Sequence, residues 1–152
     1  MIRRVLALDV GNRRVGVAAS DPLGLLARPL VTLGRTDEAG DLAAIVALVV
    51  REDACHVVVG LPLLPSGDRG EQAERVEAFM ARLGPALETA GVSWSWWDES
   101  YTTLAAEDRR RERGARPGRG QASLDAEAAA VILEEWLAEQ ALVAARTRLD
   151  GS

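Results

Sequence analysis

The chain contains no lysine; all 18 of its basic residues are arginine. That absence excludes a Schiff base, a phosphate-loop lysine and a lysine general base. A single histidine, His56, excludes sites built from several histidines. The one cysteine, Cys55, can form no disulfide within the chain, which fits a reducing, cytoplasmic compartment. No apolar run is long enough to cross a bilayer, and the N-terminal residues lead directly into a strand pattern with no secretory signal. No membrane partner is expected. The chemistry left available is that of carboxylates, hydroxyls and arginines.

What is present fits one domain. The chain has 152 residues, 48% of them hydrophobic, enough for a single packed core. "IRRVLALD" reads as a buried strand, Gly11-Asn12 as a hairpin turn, and "RVGVAASD" as an alternating strand. The alternation sets Val15, Val17 and Ala19 against Gly16, Ala18 and Ser20. A third strand near residues 28–33 completes an antiparallel meander. Thr36 can cap a helix striped by Leu42, Ile45, Val46 and Val49. "CHVVVGLP" is a fourth strand, residues 71–89 a helix, and "VSWSWWDE" a fifth strand. A short helix from Thr102 or Thr103 to about Arg113 and a mobile Gly/Pro/Arg stretch at 114–122 follow. Asp125 is expected to open the last helix, with Ala128, Ala129, Ile132 and Trp136 on one face. The order describes an α/β domain over residues 1–140, a mixed five-stranded sheet covered by helices, followed by a C-terminal tail at 141–152 that reads as a helix end and a loose segment.

Three acidic positions fall at ends of elements. Asp9 closes a strand that otherwise reads as buried, and an ionised carboxylate is costly there without a partner. It is either satisfied by turn N–H groups or faces a site that holds a cation. Asp98 and Glu99 are neighbours in a strand, so at most one faces the same site as Asp9. Asp125 sits on a stripe that should pack on the sheet, which turns its carboxylate toward the strand ends; the helix dipole alone would also favour it. Together these acids suit Mg²⁺ or Mn²⁺, hard cations that take oxygen ligands and support phosphoryl displacement without lysine, histidine or cysteine.

The net charge of −5 argues weakly against a polyanionic partner, but the charge is unevenly spread. "RRRERGARPGR", residues 109–119, carries Arg109, Arg110, Arg111, Arg113, Arg116 and Arg119 against one glutamate. Arginines among glycine and proline suit contacts to a phosphate backbone, although such a run can also be only a solvated face. Cys55 and His56 diverge in a strand and form no nucleophile–base dyad. Gly11 and Gly16 lead into a strand instead of a helix, so they are a weak phosphate-loop signal.

"ALDVGNRRVGVAASDPLGLLARPL", "VVVGLPL", "DESYTT" and "LDAEAAAVILEEWL" occur in that order over about residues 3 to 140. This set resembles the YqgF (RuvX) family of bacterial ribonuclease-H-like proteins. Its members are described as Holliday-junction resolvases and as nucleases that process the 5′ end of pre-16S ribosomal RNA. The resemblance implies that Asp9, Glu99 and Asp125 are the metal-binding, catalytic acids. It implies that Arg14 contacts phosphate or orders the turn. Gly11, Ser20, Asp21, Asp98 and Thr103 match supporting motif positions. It further implies a structured RNA or branched DNA partner and a monomer or weak homodimer. Two positions depart from the pattern: Ser100 stands where the family usually has arginine, and Arg116 and Arg119 stand in for lysines. A nucleic-acid-binding factor with structural carboxylates is the alternative from another class.

Overall fold

A computed structural model describes residues 4–99 and 121–150, the side chains of 121–123 excepted. Its elements are β1 (Arg4–Val10), β2 (Arg14–Ser20), β3 (Ala27–Gly34), α1 (Glu38–Arg51), β4 (Ala54–Leu61), α2 (Glu71–Thr89), β5 (Ser93–Asp98) and α3 (Gln121–Asp150). The five strands form one sheet in the order β3-β2-β1-β4-β5. β1, β2 and β3 pair antiparallel, whereas β4 runs parallel to both β1 and β5. This is the mixed sheet that the sequence predicts. Pro29, which has no N–H to donate, lies in the edge strand β3, beside a shift of register at Val17/Ala18.

Strand alternation divides the core in two. On one face Leu6, Leu8, Val10, Val15, Val17, Val57 and Val59 pack against Ile45 and Val49 of α1 and Phe79, Met80, Leu83 and Leu87 of α2. On the other, Val5, Ala7, Ala18 and Val58 pack against Ala129, Ala130, Ile132 and Leu133 of α3. Asp9 continues the Val5–Ala7 series and therefore points to the α3 face.

Three boundaries differ from the sequence reading. α1 is capped by Asp37, whose Oδ1 accepts the Gly40 N–H at 2.6 Å. Thr36 instead donates its backbone N–H to Asp41 Oδ1 at 2.8 Å. α3 already includes Gln121 and Ala122, so Asp125 lies beyond its first turn and is not its opening residue. At the other end α3 continues to Asp150, so the segment expected as a loose tail is helical and mostly exposed. The expected short helix after Thr102 and the remainder of the Gly/Pro/Arg stretch lie outside the described residues.

Candidate active site

Three elements bring the acidic positions to one end of the α3 face. Asp9, half-buried at the end of β1, is the cross-strand partner of Gly16 in β2. Gly16 is where α3 lands: a β-carbon there would overlap the carbonyl of Asp125 and stand 2.8 Å from the Ala126 nitrogen. On the other flank of β1, Leu8 pairs with Val59, so Asp9 and Gly60 are the next residues along two adjacent strands. A β-carbon at Gly60 would meet Ile132 Cδ1 at 2.6 Å and Glu99 Oε1 at 3.3 Å. The Glu99 carboxylate therefore lies over Gly60, and Asp125 is seated over Gly16. Asp98, its strand neighbour, pairs with Leu61 and alternates to the other face.

The acids are not gathered as a finished ligand set. Among the described residues, no three acidic, histidine or cysteine side chains stand close enough to hold a metal ion between them as they are. Asp125 is instead engaged by Arg14, whose Nε donates to Oδ2 at 2.6 Å. The donor chemistry nonetheless suits a hard divalent cation, since carboxylate oxygens are its preferred ligands. The missing side chains at Gly16 and Gly60 are what admit the Asp125 backbone on one flank of Asp9 and the Ile132 methyl and Glu99 carboxylate on the other.

The turn that carries Arg14 is fixed from below. The Gly11 N–H donates to the Arg14 carbonyl at 2.8 Å, and Arg35 Nη1 donates to the Gly11 carbonyl at 3.0 Å. Arg35 is itself held by Asp41 at 3.2 Å and lies over the Phe79 ring, 4.8 Å from its centroid. Burial works against charge on Asp41, but the Thr36 N–H and Arg35 outweigh it, and its carboxyl sits below the ordinary value.

The remaining candidates lie elsewhere. Ser20 is fully buried at the far end of β2 from Arg14, where its Oγ accepts the Val5 N–H at 2.9 Å. Asp21 lies in the β2–β3 loop and accepts N–H bonds from Leu25 and Leu26. The Leu26 N–H is the largest cause of its lowered pKa. Thr103 and the arginines at 109, 110, 111, 113, 116 and 119 lie outside the described residues. His56 is packed, with its ring nitrogens 2.7 and 2.8 Å from Ser93 Oγ and Ser95 Oγ. Its ring stacks on Trp136 at 5.3 Å.

Sequence reasoning overlooked the Arg14–Asp125 pair and the use of Gly16 and Gly60 as seats. A signal was available for the glycines: Gly16 shares a strand face with Ala18 and Ser20, opposite a helix face rich in alanine. Small residues on both sides of one interface mark a close approach of helix to sheet.

The family model described as "RuvX: Holliday junction resolvase" matches residues 3–139. The chain belongs to the RuvX family. A relative from Synechococcus elongatus named "Putative pre-16S rRNA nuclease" is 40% identical over 135 residues, covering 89% of each chain. One from Anaeromyxobacter dehalogenans with the same name is 43% identical over 140 residues, covering 91% of this chain and 98% of its own. RuvX membership is thus matched by relatives of nearly equal length, and it places the chain among nucleases. Among solved structures, Thermus thermophilus RuvC in complex with a Holliday junction substrate superposes with a TM-score of 0.63. The match spans 91% of this chain and 95% of that one at 17% identity. At that identity the likeness is one of fold, and it makes the RuvX sheet and helices RuvC-like.

Proposed function

We propose that this chain is a divalent-metal-dependent endonuclease that hydrolyses nucleic-acid phosphodiesters, acting at the 5′ end of pre-16S ribosomal RNA in the cytoplasm. The observation that carries the reading is the convergence of Asp9, Glu99 and Asp125 on one end of the α3 face, over two glycines, in a RuvX-family chain. Asp9, Glu99 and Asp125 would hold the ion. When bound, Mg²⁺ or Mn²⁺ supplies water activation and neutralises charge on the scissile phosphate. Arg14 is suited to a backbone phosphate, and the arginines of 109–119 supply the wider attraction for a polyanion that an acidic body otherwise lacks. The chain acts as a monomer or weak homodimer.

A second substrate reading, branched DNA, is favoured by the description of the family model itself. Phosphate contacts carry little information about sugar or sequence, so both substrates fit the same acids and arginines. The test is to incubate the purified chain with Mg²⁺ or Mn²⁺, separately on a precursor rRNA 5′-end fragment and on a four-way DNA junction. Asp9→Asn and EDTA lanes run beside it. RNA cleavage that falls to background in both controls is the expected result. Cleavage of the junction alone moves the substrate to DNA and leaves the acids in their roles. Binding without cleavage of either overturns the nuclease reading in favour of a binding factor.

A further inference from the structure

Arg14 and Asp125 meet across 111 positions of sequence, with Nε 2.6 Å from Oδ2. The backbone under each is fixed. Arg14 opens β2 in register with Gly34, and its carbonyl holds the Gly11 N–H. Asp125 is seated on Gly16, where no side chain separates helix from strand. Any rearrangement of the pair therefore falls to the side chains, and the two differ in reach. The Asp125 side chain is 22% exposed and short, whereas the Arg14 side chain is long, 36% exposed, and carried beside the exposed turn residues Asn12 and Arg13.

A guanidinium on Asp125 Oδ2 does two things to a cation site. It occupies one of the oxygens that a metal would use, and it adds a positive charge beside the place where the metal's charge would sit. It is also a group with a second destination, because guanidinium matches phosphate, like carboxylate, with two parallel hydrogen bonds. A nucleic-acid backbone at the strand ends offers that destination within reach of the same turn.

We propose that Arg14 guards Asp125. Without nucleic acid its guanidinium holds the carboxylate and keeps metal affinity low; an incoming backbone phosphate draws it off and releases Asp125 to complete the metal site. The proposal rests on the reading of Asp9, Glu99 and Asp125 as metal ligands. It makes Arg14 a positioning residue that acts through Asp125 and links the two binding events. Each ligand raises the affinity for the other by the same factor. The fold thereby keeps its cation site weak until a polyanion is present.

The test measures Mn²⁺ affinity of the intact chain by calorimetry and by the Mn²⁺ spin-resonance signal, with no nucleic acid in the cell. Arg14→Gln is expected to bind Mn²⁺ about tenfold more tightly than the unmodified chain, within the usual span of coupling between sites. Arg14→Met, which keeps much of the aliphatic stem, carries the same expectation if the glutamine variant does not fold. A residue that only contacts phosphate would leave this affinity unchanged, and one that only braces the fold would weaken it. Either result from a folded variant overturns the guard. Asp9→Asn and Asp125→Asn separate the two layers of the argument. If both weaken Mn²⁺ binding while Arg14 variants do not tighten it, the guard fails and the metal site stands. If neither weakens it, the metal-site reading fails and the guard with it.

Discussion

The two faces of the sheet are built from different residues for different ends. The face under α1 and α2 is made of large aliphatic and aromatic side chains, with Leu6, Leu8, Ile45, Met80, Leu83 and Leu87 fully buried. The face under α3 places small residues among its larger ones: Gly16, Ala18 and Ala7 below and Ala129 and Ala130 above, beside the buried Ile132 and Leu133. Large side chains bury more apolar area and hold the domain together. Small ones bury less but let the helix backbone come down onto the strands, which is how Asp125 arrives beside Asp9. One face is spent on stability and the other on proximity. Arg35 ties them, since it lies over Phe79 on the first and holds the Gly11 carbonyl that anchors the Arg14 turn on the second.

That contrast can be broken by substitution. Leu83→Ala, on the aliphatic face, should cost the most stability, about 2–5 kcal/mol for a fully buried leucine. Denaturant melts would show it, and nuclease activity assayed well below the new melting point should survive. Gly16→Ala, on the other face, should cost about 1–3 kcal/mol, as overpacking does. Here activity should fall far more than stability, because the added carbon overlaps the Asp125 carbonyl. Equal losses of activity in the two variants would erase the division of labour between the faces.

The smallest effect belongs to His56. Its burial lowers its pKa, so the folded state favours the neutral ring. The corresponding stability is complete above the unfolded imidazole value of about 6.5 and declines as pH falls from there toward the folded value. His56→Gln should therefore show a shallower drop in melting temperature than the unmodified chain between about pH 7.5 and 5. An identical pH profile would remove burial as the cause.

Most of the architecture was legible because periodicity carried it. The alternation in "RVGVAAS" separated Val15, Val17 and Ala19 from Gly16, Ala18 and Ser20 as the two cores do. What was misread lies where burial and propensity part company. The pattern predicts that α3 gives way to a loose segment within residues 141–152, where its apolar stripe loses the sheet. Its alanine, leucine, glutamate and arginine content continues the helix to Asp150 without a core to face. The pattern offers Thr36 as the cap of α1, but Asp37 takes it while Asp41 claims the Thr36 N–H, a competition among neighbouring carboxylates that pattern alone does not rank. The sequence reads the acids as ends of elements, which Asp125 is not, because α3 begins at Gln121. Their seats were not legible, because a glycine announces only an absence, and what fills it comes from elsewhere in the chain.

The span between Arg14 and Asp125 also has a meaning in time. β1 and β2 leave a ribosome well before α3 does. A chain interrupted anywhere before residue 121 carries Asp9 and, if it is long enough, Glu99, but neither the third carboxylate nor the helix that covers that face. The candidate site therefore cannot exist piecemeal. Its assembly waits for α3 to dock on the sheet, so a copy interrupted before Asp125 lacks one carboxylate of the proposed site.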